Sequence, residues 1–303
     1  MVVIKNVALI GATGALGEPV LDAIVKSGKF SVTVLARSAS KAAFPSSVKV
    51  ATVDYSDVAS LTEAFRGNDA VVSTVGTPGL QGQTIAIDAA IAAGVKRFLP
   101  SEFGSDLGNP KTAALPIFGY KVHVNKYLEE KVAANPDFAY TLIRNGAFLD
   151  WGLDMNFLLD MKSGKPAIYD GGDQLFSTTT LKSVGQAVVG VLTHPDETKN
   201  RAVYVQDMLI SQNKLLTIAN KIAPEKTKSW EPVPKSLAAI KKASDEALAK
   251  GQHSIEVMVP YIFVSLFGEG YGGRMEKTDN DLLGVAGDKT DADVEGIMTP
   301  LLK

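Results

Sequence analysis

Short apolar runs alternate with helix-like patterns through the first 144 residues. Runs at 2–10, 31–36, 48–53, 70–75, 95–99 and 138–143 predict strands, and the segments 15–27, 57–66, 81–93 and 116–133 predict helices between them. Gly94 suits the end of the third helix, because it tolerates the left-handed conformation. Asn135-Pro136-Asp137 punctuates the end of the fourth. Such alternation argues for a parallel sheet covered on both faces, since each parallel connection needs a crossover. The fold expected is α/β, a doubly wound parallel sheet of the Rossmann type.

After Arg144 the rhythm loosens. Residues 151–163 predict a helix, 168–175 a strand interrupted by Gly171-Gly172, and 181–192 a helix. A short strand at 202–205, a helix at 213–222 and an exposed Lys- and Ala-rich helix at 235–250 follow. Residues 260–274 mix aromatics with glycines and read as a mobile loop or cleft wall. The division expected is a dinucleotide-binding unit at 1–150 and a smaller substrate-side α/β region at 151–303, partly packing back onto the sheet. No low-complexity linker or internal repeat separates them.

Bulk chemistry narrows the classes. A 46% hydrophobic and 21% charged composition over 303 residues is that of a globular protein with ample length for a core. The formal net charge of -2 gives no electrostatic footprint for nucleic acid. No run approaches the ~20 apolar residues of a membrane span. The Val7–Ile10 stretch is too short for a signal peptide's core, so a cytoplasmic location is the default expectation. The absence of cysteine excludes disulfides and thiolate chemistry, and His123, His194 and His253 lack metal-ligand spacing. Ser101 beside Glu102, without a G-x-S-x-G elbow, does not read as a hydrolase nucleophile.

The most informative pattern is strand, Gly11-Ala12-Thr13-Gly14-Ala15-Leu16-Gly17, helix, strand. This unit sets a dinucleotide's pyrophosphate on a helix N-terminus. Gly11 allows the turn out of the strand, Gly14 lets backbone N–H groups approach phosphate, and Gly17 allows close helix packing. The spacing is G-x-x-G-x-x-G, so its weight comes from the flanking elements. About 20 residues beyond such loops, NAD proteins carry an acidic residue for the ribose. Here Arg37 stands at that point, with Ser38 beside it and Lys41 one helical turn on. A guanidinium fork pairs with a 2′-phosphate that a carboxylate would repel, which favours NADP(H).

The helix near Pro116 carries an anomaly. Ile117, Val124, Leu128 and Val132 form one apolar stripe at 100° per residue, and Lys121 falls in its middle. His123, Lys126 and Glu130 lie opposite. A lysine on an inward face either snorkels to an edge or lines a cleft. Beside a nicotinamide, its pKa would fall towards the range where a general acid or base works best. The Tyr-x-x-x-Lys pair of short-chain dehydrogenases is missing, because Ile117 stands four residues earlier and the adjacent Tyr120 points elsewhere.

Three strings carry a family resemblance: the glycine loop, Val72-Ser73-Thr74-Val75-Gly76, and Val95-Lys96-Arg97-Phe98-Leu99-Pro100-Ser101-Glu102-Phe103-Gly104. With Arg144-Asn145-Gly146-Ala147-Phe148 they resemble the NmrA-like, isoflavone reductase-like group of atypical short-chain dehydrogenases/reductases. The likeness covers about 1–210 and loosens beyond. It implies an NADPH-dependent reductase acting on a small, often aromatic or enone-type substrate, with Lys121 in the active-site lysine's place. It further implies that Thr74, Val75, Gly76, Thr77, Gln83, Ser101, Glu102, Phe103, Lys121 and Asn145 face the cofactor. Phe103, Phe148, Trp151 and Met155 would line the substrate. The chain departs from plant members at His123, Asn125 and Lys126, where those are more basic. The rival reading is a non-catalytic NADP(H)-binding redox sensor. No metal is expected, and monomer and homodimer both stay open.

Overall fold

The computed structural model describes residues 2–37 and 42–303. The strands of the first half are β1 Asn6–Ile10, β2 Ser31–Ala36, β3 Lys49–Thr52, β4 Ala70–Ser73, β5 Arg97–Leu99 and β6 Ala139–Arg144. Those of the second are β7 Ala147–Phe148, β8 Ala167–Tyr169, β9 Phe176–Thr179, β10 Arg201–Tyr204, β11 Met208–Ile210 and β12 Val233–Lys235. Seven form one parallel sheet in the order β10-β6-β5-β4-β1-β2-β3. The doubly wound Rossmann-type architecture expected from the alternation is therefore present.

Period-two alternation explains how the sheet sits in its core. Val7 and Leu9 turn to one face, packed with Val20 and Ile24 of the helix Gly17–Lys26 and with Val184 and Val188 of the helix Leu181–Thr193. Ala8 and Ile10 turn to the other, with Phe65, Ile87, Phe98 and Leu128. Both faces are thus dry, as a parallel sheet requires. The first face needs a close helix crossing: a Cβ at Gly185 would stand 2.7 Å from the Pro19 carbonyl oxygen.

The second half supplies β10 and the helix Leu181–Thr193 to the first sheet's architecture. Its remaining elements build a separate apolar cluster around Leu149, Phe176, Leu215, Tyr261, Phe267, Val294 and Met298. Three expectations are corrected here. The helix expected at 151–163 runs only over Leu149–Asp154. Asn156 adopts φ 55° and its side chain accepts from Met161 N–H, while Asp160 accepts from Lys162 and Ser163, so local side-chain bonds replace the helical ladder. The strand expected at 168–175 divides into β8 and β9, because Asp170, Gly171 and Gly172 all take positive φ. Residues 260–274 are not one loop: helix Ile255–Phe267 contains Tyr261, Phe263 and Phe267, and the chain leaves it at Gly268, before Tyr271.

Candidate functional site

A cleft of about 900 Å³ opens at the C-terminal ends of β1, β2 and β4. There the strand order reverses about β1, the place where open α/β sheets form a crevice. Ile10, Gly11, Ala12, Thr13 and Gly14 form one wall. Gly11 has φ 83°, and a Cβ on it would sit 2.9 Å from the Thr74 backbone. Gly17 is equally constrained, since its Cβ would collide with the Gly11 carbonyl. Gly14 differs: its Cβ would meet nothing nearer than 3.5 Å, leaving bare backbone beside the cleft. Ala15, Leu16 and Gly17 lead into the helix, whose N-cap Leu16 offers no side-chain acceptor. Its first N–H groups and positive dipole end suit an anion.

Arg37 lines the cleft as an exposed side chain at the tip of β2. Ser38 and Lys41 lie outside the described residues. Sequence reasoning missed Phe44 and Tyr55, which also line this end. The Tyr55 hydroxyl donates to the Leu35 carbonyl at 2.7 Å, and burial pushes its pKa up to about 12 against the opposing pull of Arg37. No glycine or charge pattern marks these aromatics, and they join the cleft only through folding.

The other wall contains Ser73, Thr74, Val75, Gly76 and Gln83; Thr77 is exposed beyond it and does not line it. Thr74 is fixed by its hydroxyl and N–H, both donating to the Ile10 carbonyl. Two buried polar atoms of this wall lack partners: Ser73 Oγ and Gln83 Nε2. Orphans of this kind are costly in a dry interior, and a polar ligand would satisfy them. The bare Gly14 backbone, the helix start, Arg37 and these orphans together fit a phosphorylated dinucleotide.

From Gln83 the structure leads to Lys121. Gln83 Oε1 accepts the Ser101 N–H at 2.7 Å, and the Ser101 hydroxyl donates to the Val75 carbonyl at 2.8 Å. The next two residues hold the lysine: Lys121 Nζ donates to the carbonyls of Glu102 and of Phe103, the latter at 3.2 Å. Lys121 lies on the helix Gly119–Ala134, whose Val124 and Leu128 are buried while His123, Lys126 and Glu130 are exposed. The inward face inferred from periodicity is therefore correct, and Tyr120 points outward at 52% exposure. Burial lowers the Lys121 pKa, opposed by the negative charge of Glu102.

Of the residues expected on the cofactor surface, Ser101, Glu102, Phe103 and Asn145 are buried, and neither they nor Lys121 line the cleft. Glu102 is 2% exposed, and its carboxylate accepts from Asn125 at 3.1 Å and Arg144 at 3.4 Å. Phe103 is 5% exposed, and its ring belongs to the sheet's apolar cluster. Both contribute backbone carbonyls to Lys121, and neither lines the cleft. Asn145 is fully buried, tied through its N–H to Gly104, with its Oδ1 unpartnered. Phe148 is half-buried and meets Trp151 edge-on at 6.3 Å, whereas Met155 is 57% exposed. Trp151 starts a run the sequence did not reveal: Phe157 lies 6.3 Å away, Phe263 4.8 Å beyond that, and Tyr169 stacks on Phe263.

A parallel sheet with a ligand-sized crevice at its switch point defines a Rossmann-type α/β protein. The chain belongs to the NmrA-like family, whose model matches residues 4–250. Oxidoreductase poxI of Penicillium oxalicum is 31% identical over 305 residues, covering 95% of this chain and 92% of its own. Oxidoreductase aprR of Aspergillus flavus is 35% identical over 286 residues, covering 92% and 93%. Among solved structures, an isoflavone reductase matches with TM-score 0.76 at 21% identity, covering 97% of this chain and 98% of the other. AtPrR2 with NADP+ and (+)-pinoresinol matches with TM-score 0.76 at 22% identity, covering 98% and 100%. These two share the fold. Among the described residues, no helix is long and apolar enough to cross a membrane, and no His/Asp/Glu group could hold a metal.

Proposed function

We propose that this protein is an NADPH-dependent oxidoreductase acting on a small aromatic or enone-type substrate, with Lys121 as the proton-transfer or polarising group. The observation carrying this reading is the connection between cleft and lysine: the segment hydrogen-bonded to the cleft residues Gln83 and Val75 also holds the Lys121 ammonium. The names of the fungal relatives, and the NADP+ and (+)-pinoresinol of AtPrR2, support the cofactor and the substrate size.

Bound NADPH supplies a hydride. The chain's own residues do the rest. Arg37 would pair with the 2′-phosphate, and the helix start beyond Gly14 would receive the pyrophosphate. Two of the three Lys121 N–H donors are engaged by carbonyls, which leaves one for a substrate oxygen or a ribose hydroxyl. Partial desolvation makes that proton easier to release than from a solvated lysine. Carbonyl anchoring fixes the ammonium, so orientation is set before substrate arrives.

The test is fluorescence titration with NADPH and NADH, followed by NADPH consumption with a panel of enones and phenylpropanoids. Tighter NADPH binding with turnover supports the reading. Tight binding without turnover on any panel member, together with a recovered protein partner, overturns it in favour of a sensor.

A further inference from the structure

Four elements meet behind Lys121 and gather a small set of charges, of which Glu102 and Arg144 are buried and Lys121 and Asp106 half-buried. Glu102 comes from the segment after β5, Lys121 and Asn125 from consecutive turns of one helix, Arg144 from the end of β6, and Tyr204 from the end of β10. Glu102 Oε1 accepts from Asn125 and Arg144. Arg144 Nη1 continues to Asp106 at 3.0 Å and to the Tyr204 hydroxyl at 2.8 Å, and Tyr204 donates to Asp106 at 3.0 Å. Lys121 is tied to the same residue through the Glu102 carbonyl, and a Cβ at Gly104 would stand 3.8 Å from its Nζ.

The charges balance in one protonation state. Lys121 and Arg144 are the cations, Glu102 and Asp106 the carboxylates; Asn125 and Tyr204 add donors without net charge. Arg144 cannot release its proton, so any imbalance falls on Lys121 or on a carboxyl. Asn125 matters for this reason: it aims the carboxylate from the lysine's own helix face without adding a competing cation.

We propose that Glu102 is a positioning residue for Lys121: its buried carboxylate, aimed by Asn125 and Arg144, holds the ammonium protonated and sets the pH at which the lysine releases its proton. The catalytic consequence rests on the reading given under Proposed function, but the coupling itself can be measured without turnover. Burial acts on both groups in opposite senses, raising Glu102 and lowering Lys121, and each charge opposes the other's shift.

The experiment is Glu102→Gln, which keeps the side-chain shape and an acceptor for Asn125 and Arg144. Lysines carry uniform ¹³C label from biosynthesis in the full-length protein, their Cε resonances are followed against pH, and Lys121 is assigned by the signal lost in Lys121→Arg. The expected result is a Lys121 titration midpoint about one pH unit lower in Glu102→Gln, the size an opposite charge of this kind exerts. Asn125→Ala, which loosens the carboxylate without removing it, shifts the midpoint the same way by less and serves if Glu102→Gln does not fold. With turnover in hand, the limb of the kcat/KM profile assigned to Lys121 moves with the midpoint. A lowered Tm with an unmoved midpoint would reduce Glu102 to a structural role and overturn the proposal. A moved midpoint in a protein without reductase activity would uphold the coupling while defeating the reductase reading.

Discussion

The Ser101 backbone N–H donates to the side-chain oxygen of Gln83 at 2.7 Å, and both residues are buried. This bond joins the cleft wall to the segment that holds Lys121. Gln83→Ala leaves the Ser101 N–H without its partner, and an orphaned buried donor costs about 1–3 kcal/mol. Urea unfolding should show that loss. A variant as stable as the parent would mean the bond contributes nothing.

Arg37 stands at the end of the cleft where β2 terminates. A hydrogen bond to a charged group contributes about 1.5–3 kcal/mol, which is roughly a tenfold to hundredfold change in affinity. Arg37→Ala should weaken NADPH binding by that factor and leave NADH binding nearly unchanged. Parallel titrations decide it, and equal losses for both cofactors would remove Arg37 from the 2′-phosphate.

Tyr55 gives a pH signature. Its ordinary value is 10.0, and burial raises it in the folded protein to about 12. Between those values the unfolded chain has lost a proton that the folded one retains, so stability falls as pH rises through this window. Below pH 10 the contribution is fully present. Ultraviolet titration of the tyrosinate band, compared with Tyr55→Phe, should assign one late-titrating phenol to this residue. Ionisation of Tyr55 near 10 would contradict its enclosed position.

The strand pattern and the glycine loop were legible because they rest on local chemistry: alternation fixes the faces, and the close approach of Gly17 to Gly11 permits no side chain. The inward face of Lys121 was legible for the same reason, as helical periodicity is set along the chain. What could not be read depends on contacts distant in sequence. Glu102 sits in a string that matches the family and was expected to face the cofactor, yet Asn125 and Arg144 draw its carboxylate inward from 23 and 42 residues away. The aromatic run from Trp151 to Tyr169 crosses to Phe263 on a helix whose apolar sequence, read beside its following glycines, suggested a loop. Helix termination after Asp154 turned on Asn156 and Asp160, whose side chains bond locally to backbone.

Side-by-side binding and turnover of Lys121→Ala test the central claim most directly. Neither the glycine turn nor Arg37 depends on the ammonium, so the variant should still bind NADPH in a fluorescence titration. Its NADPH consumption with a substrate turned over by the parent should be lost. A variant that turns over as fast as the parent would contradict the account.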